Sequence, residues 1–96
     1  MPCVIAPATG PAWVIDRQAG DRFPGAGYDA AAVAGYPSLT IPMGSSNGLP
    51  LGIVFMGAAW SEPRLIELGY AYEQLTLARE PPKYLPSLPA TAKAHK

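Results

Sequence analysis

The sequence predicts a mixed α/β fold in the order strand, long loop, short helix, β-hairpin, long helix and extended tail. Residues 34–60, AGYPSLTIPMGSSNGLPLGIVFMGAAW, hold two nearly unbroken apolar runs joined by a polar turn. The stretch after them repeats apolar residues at helical spacing, and Gly- and Pro-rich segments interrupt the chain on both sides. Strands that apolar cannot face water on either side, so the hairpin is expected to be part of a larger sheet.

Residues 3–6, between Pro2 and Pro7, form a short β-branched run that reads as a buried strand. Residues 9–27 are rich in Gly, Pro and polar groups with Trp13 and Phe23 embedded, as in a packed or functional surface loop. Residues 28–34, YDAAAVA, supply helix formers at Ala30, Ala31 and Ala32. Gly35 stops that helix, and Pro37 disfavours helical geometry at Tyr36. Residues 38–43 and 51–56 read as the two hairpin strands, with GSSNGLP between them and Asn47 and Gly48 suited to positive φ. Pro42 lacks a ladder donor and belongs at an edge or a bulge.

Ser61 is placed to cap a helix with Glu62 and Pro63 in its first turn, running to about residue 78. Leu65, Leu68, Tyr72 and Leu75 give its apolar stripe, widened by Ile66 and Tyr70; Trp60 and the helix tyrosines read as core packing. Pro81 and Pro82 forbid continuation, so EPPKYLPSLP is extended, with Tyr84, Leu85 and Leu88 docked on the body. The last residues, 89–96, are expected to be disordered.

Composition sets the outer limits. Ninety-six residues make one small domain, and such a domain buries only roughly 60% of the surface its unfolded chain exposes. Apolar residues are 49% of the chain and charged residues 15%, against about 25% charged in typical soluble domains. Part of this surface should therefore want a partner. Seven basic residues balance seven acidic ones, and the lysines, Lys83, Lys93 and Lys96, fall near the end. Nucleic acid is thus disfavoured as a partner. Cys3 is the single cysteine and supports no disulfide scaffold. Pro37, Pro42, Gly44 and Pro50 break any membrane-length apolar run, and the opening MPCVIAPATG lacks a signal-peptide pattern. The chain is expected to be soluble and cytoplasmic, with no membrane partner.

Four groups of residues invite chemistry. Gly44, Ser45 and Ser46 suggest a nucleophile turn, but His95, the only histidine, lies in the tail and no lysine precedes Lys83; a plain hairpin turn is the better reading. Residues 25–30, GAGYDA, fit G-x-G-x-x-A, yet they do not follow a strand directly, and no acidic residue between Asp29 and Glu62 could hold a ribose. Asp16, Asp21 and Asp29 lack the alternate-residue spacing of a calcium loop and read as solvated turn carboxylates, so no metal is expected. Trp13 and Asp16 place an aromatic wall beside a carboxylate in the long loop. That pair suits a small-molecule pocket or simple loop packing.

The order GPAWVID, then Gly20 and Asp21, AAVAGYPSLTIPMG, GLPLGIVFMG, AWSEPRL, GYAYEQLT and REPPKYLPSL closely resembles the carboxy-terminal end of amidase signature enzymes, most of all the bacterial general or peptide amidases. The match runs over residues 4–88. The resemblance implies that residues 1–96 are the C-terminal segment of an amidase domain, an α/β/α sandwich around a large mixed sheet, with an ordered core over 3–88. It also implies hydrolysis of a carboxamide C–N bond without metal or organic cofactor, by a nucleophilic serine, a cis-peptide serine and a lysine base. Those groups lie upstream of the matched region, so none is carried onto this chain, and Ser45 and Ser46 do not align with them. Related enzymes often have serines before the AAVAGYP stretch, where this chain reads FPGAGYD. On this reading the chain is inactive alone and supplies sheet, helix and a loop near the substrate entrance, with Trp13 and Asp16 as substrate-binding residues. Its partners are the remainder of the amidase chain and, in the intact enzyme, a small-molecule amide, with oligomers through exposed sheet edges as a further expectation. The alternative is an independent binding or assembly module with no catalytic role.

Overall fold

The computed structural model describes residues 3–23 and 25–87. Its elements follow the predicted order: strand β1 Val4–Pro7, helix α1 Asp29–Ala34, strands β2 Ser38–Ser46 and β3 Leu49–Met56, and helix α2 Glu62–Thr76. The three strands make one sheet in the order β1-β3-β2, antiparallel at both pairings. The strand that is apolar on both faces therefore takes the centre, where both of its faces find cover.

Register assigns the faces. Leu39 lies opposite Phe55 and Ile41 opposite Ile53, while Thr40 and Ala6 both lie opposite Val54 on the other side. Helix α2 covers the first face. A Cβ on Gly69 would come within 2.7 Å of Leu39 Cδ2, and the Tyr72 ring meets Phe55 edge-on at 5.7 Å. Helix α1 meets the second through Ala31, its one buried residue, which joins Ala8, Val54 and Met56 in the core. The result is a helix, sheet, helix layering.

The hairpin turns on Asn47 and Gly48, with φ of 54° and 78°. Positive φ at both central residues is what a two-residue turn matched to strand twist requires. The ladder runs further toward the turn than expected, because Ser45 and Ser46 pair with Pro50 and Leu49. An irregularity between Pro42 and Gly44 leaves Met43 unpaired as a bulge. Pro42 thus sits on an edge strand beside a bulge, where its missing N–H is tolerated.

Several expectations are corrected. The sequence pattern predicts a buried β1, yet Val4 and Ile5 are 61% and 57% exposed. Among the described residues β1 is an edge strand with β3 as its one neighbour, and α2 lies mainly over β2. Trp60, expected in the core, is 89% exposed. Its φ of 66° belongs to the tight turn that delivers the chain from β3 to α2 and points the indole outward. Ser61 stands where predicted but makes no cap bond. Pro63 removes the donor at the second helical position, Ser61 itself sits at φ -94° and ψ 15° rather than in the extended conformation of a capping residue, and its hydroxyl instead donates to the Ala58 carbonyl at 2.6 Å.

The stripe on α2 is narrower than its pattern suggests. Leu65 and Gly69 are buried and Leu68 and Tyr72 half-buried, whereas Ile66, Tyr70 and Leu75 are exposed, since α2 touches a single sheet face. The helix itself ends at Thr76 with Leu77 as its left-handed cap, close to the expected end near residue 78. Tyr84 and Leu85 are exposed instead of docked. Leu88 and the tail 89–96 lie outside the described residues.

Candidate binding cleft

The feet of the long loop are fixed to the sheet. Ala8 N donates to Gly52 O at 2.9 Å, Gly27 N donates to Ala8 O at 2.8 Å, and Thr9 bridges Ala26. Beyond these anchors the loop organises itself around two carboxylates. Asp16 Oδ1 accepts from the backbone N–H groups of Gln18 at 2.9 Å and Ala19 at 3.0 Å, and Gly20 N donates to the Asp16 carbonyl at 3.1 Å. Such a side-chain turn is what Asp followed by polar, small and Gly residues favours. The Ala19 and Gln18 amides stabilise the ionised form and hold the Asp16 carboxyl below its ordinary range. Asp21 Oδ1 accepts from the Trp13 indole N–H at 3.2 Å, and the Trp13 and Phe23 rings meet at 6.2 Å.

Together these contacts shape an open cleft of about 670 Å³, whose lining includes Trp13, Ile15, Asp16, Arg17 and Arg22. Trp13 and Asp16, singled out from sequence, are therefore brought to one place. Asp16 spends one oxygen on the turn, so its immediate work is to hold the loop. Reading the residue types missed three participants. Asp21 is eight residues from the indole it receives, a separation with no local signature, and Arg17 and Arg22 carried no pattern beyond the repeated Asp-Arg pair.

A second cleft, of about 830 Å³, lies between the hairpin turn and the extended segment, with Ser45, Lys83 and Tyr84 in its lining. It places a serine and a lysine in one depression. A serine nucleophile needs a base within hydrogen-bond reach and desolvated enough to be neutral. Ser45 and Lys83 are both exposed and share no hydrogen bond among the described residues. Ser45 also belongs to the β2 ladder rather than to a sharp turn.

The remaining sequence candidates come apart. Gly27 uses its N–H on Ala8 O, and α1 has six residues, so GAGYDA packs the loop end against β1 rather than cradling a phosphate. Asp16, Asp21 and Asp29 sit respectively in the side-chain turn, under the Trp13 indole and in the first turn of α1. Among the described residues no group of three or more His, Cys, Asp or Glu is placed to hold a metal ion. No helix there is long and apolar enough to cross a membrane.

No protein-family model matches the chain. A probable amidase of Arabidopsis thaliana is 51% identical over 55 residues, covering 56% of this chain and 11% of its own. A glutamyl-tRNA(Gln) amidotransferase subunit from Pseudomonas entomophila is 38% identical over 78 residues, covering 76% of this chain and 16% of its own. Among solved structures, a peptide amidase in complex with the competitive inhibitor chymostatin is 65% identical with a TM-score of 0.80, covering 85% of this chain and 17% of that one. The native peptide amidase from Stenotrophomonas maltophilia is 60% identical with a TM-score of 0.73, covering 85% and 16% respectively. The chain thus spans between about a tenth and a sixth of the length of the relatives it matches.

Proposed function

On the premise that this stretch is related in sequence and fold to amidase signature enzymes, we propose that it is the C-terminal structural part of an amidase hydrolysing carboxamide C–N bonds. The catalytic serine, cis-peptide serine and lysine would lie elsewhere in that enzyme, and these 96 residues would be inactive alone. What carries the reading is a fold match at 65% identity over most of this chain and under a fifth of the peptide amidase.

The chain's own residues suit a supporting role. β3 gives the sheet a strand covered on both faces, α2 seals one of them, and the outer edge of β1 offers free ladder positions to a further strand of the enzyme. The loop holding Trp13 and Asp16 would border the path of the amide substrate, with Trp13 as an apolar wall and Asp16 keeping the loop in shape. Nothing among the described residues pairs a nucleophile with a desolvated base, and without one the attack on an amide carbonyl has no driving group.

The test is hydrolysis of acetamide and benzamide by the 96-residue chain and by an amidase carrying this stretch. The chain alone is expected to give no turnover, and S45A and S46A in the longer enzyme are expected to leave kcat/KM within about two-fold. Turnover by the purified chain that vanishes in S45A or S46A overturns the proposal. A clean monomer in light scattering, with β1 amides protected from exchange, would favour an autonomous binding module instead.

A further inference from the structure

The loop cleft holds a chemical bias that neither the sequence pattern nor the relatives' names express. Asp21 lies outside the lining, where its Oδ1 accepts from the Trp13 indole, and the one carboxylate of the lining is partly spent, since Asp16 Oδ1 accepts from two backbone amides. The two guanidiniums of the lining are not. Arg17 and Arg22 both line the cleft, both are exposed, and among the described residues the ion pair present is Arg64 with Glu67, far along the chain in α2. An arginine carries about five N–H donors in a fixed planar fork, so the side chains lining the cleft set two guanidiniums against the one free carboxylate oxygen of Asp16, Oδ2. Beside these forks stand the Trp13 indole, steadied by Asp21 and Phe23, and the exposed Ile15 side chain.

We infer that this cleft is an anion-selective subsite that takes a carboxylate carried next to an aromatic or aliphatic group. The carboxylate pairs with the forks of Arg17 and Arg22, and the apolar neighbour lies on Trp13. The fork matches the two oxygens of a carboxylate in plane, which a carboxamide of the same shape cannot reproduce because half of its polar atoms are themselves donors. Resting on the reading that this loop borders the substrate path, the inference names the substrate class: amides whose non-scissile portion bears an acidic side chain beside an apolar residue.

The discriminating pair is N-acetyl-Glu-Phe-amide and N-acetyl-Gln-Phe-amide, which differ in one carboxylate. In an amidase carrying this stretch, conversion of the C-terminal amide is followed by mass spectrometry. In the 96-residue chain with W60F, which leaves Trp13 as the sole indole, binding is followed by quenching of Trp13 emission. Two exposed forks are expected to favour the Glu peptide about five-fold, in KM rather than kcat for the enzyme and in Kd for the chain. R17Q/R22Q is expected to bring the ratio between the two peptides to about one. A preference of five-fold that disappears at 1 M NaCl supports the same assignment, because exposed pairs are screened there. Equal response to the two peptides in both proteins, or a preference that survives R17Q/R22Q, overturns the inference. Failure of the enzyme to hydrolyse either peptide, with the Glu preference present in the chain, would remove the amidase reading and leave the subsite standing.

Discussion

Gly27→Ala is the substitution that most directly tests how the loop is tied to the sheet. A Cβ built on Gly27 would run into the Pro7 carbonyl oxygen and come within 3.0 Å of Ala6 Cβ. Neither neighbour is the yielding end of a long side chain. Pro7 and Ala6 belong to β1 and are held in register opposite Ile53 and Val54. Relief therefore requires the loop end to lift away. Lifting breaks the 2.8 Å bond from Gly27 N to Ala8 O and the Thr9 to Ala26 bridge, each worth about 1 kcal/mol. It also draws Ala31 off Val54 and Met56, re-exposing apolar surface worth about another 1 kcal/mol. The expected loss is about 3 kcal/mol, a large share of the stability of so small a chain. Gly20→Ala is the control: φ is +80° and nothing lies within 4 Å of the added Cβ, so only the backbone cost of about 1 kcal/mol applies. Urea titration followed by circular dichroism should place the G27A midpoint about 2 M below the parent, or find the chain already unfolded, with G20A shifted by less than about 1 M. A G27A midpoint no lower than that of G20A would refute the close approach of loop and strand.

Val54 is fully buried at the centre of the sheet, and V54A should cost about 2 kcal/mol in the same titration; exposed Ile66 is the contrast, with I66A expected within about 0.5 kcal/mol. Asp16 has its carboxyl pKa lowered from 3.8 by the Ala19 and Gln18 amides. Because the folded value is the lower one, its contribution to holding the loop is present above the unfolded value and is lost as pH falls through the folded value. An NMR titration of the Asp16 carboxyl should therefore give a midpoint below 3.8, with Trp13 emission changing over the same window. D16N should abolish that pH dependence, and a midpoint at or above the ordinary value would contradict the turn geometry.

How much of this was legible in the sequence depends on whether the cause was local. Gly35 before Pro37 and Asn47-Gly48 set boundaries through backbone chemistry confined to one or two residues, and the structure places those boundaries there, whereas α2 already ends at Thr76, ahead of the Pro81-Pro82 pair. The strands outran the predicted turn because Gly44, Ser45 and Ser46 have turn propensity, while the actual turn needs only the two residues that take positive φ. Ser61 failed as a cap partly for a reason written in the sequence, the proline two positions later, and partly because its hydroxyl turns back to the Ala58 carbonyl, which the sequence does not display. In the loop, Trp13 and Asp16 could be picked out by residue type. The contact of Trp13 with Asp21 and the donor surplus of Arg17 and Arg22 could not, since they depend on how the loop folds back on itself.

The burial errors at β1 have a different origin. A run such as Val4-Ile5 carries large β-branched groups on both sides, a pattern suited to a strand with neighbours on both edges and cover on both faces. Exposure instead measures which neighbours the chain supplies, and among the described residues β1 has one. Full burial of a Val or Ile side chain is worth about 1.5–3 kcal/mol. With more than half of each still exposed, a further strand along β1 together with cover on both faces would add about 2 kcal/mol from these two residues, before any ladder bond is counted. Apolar patterning and exposure agree at Val54, Phe55 and Met56 and disagree at Val4 and Ile5. The disagreement falls on one edge of the sheet, which is where the proposed amidase body would join.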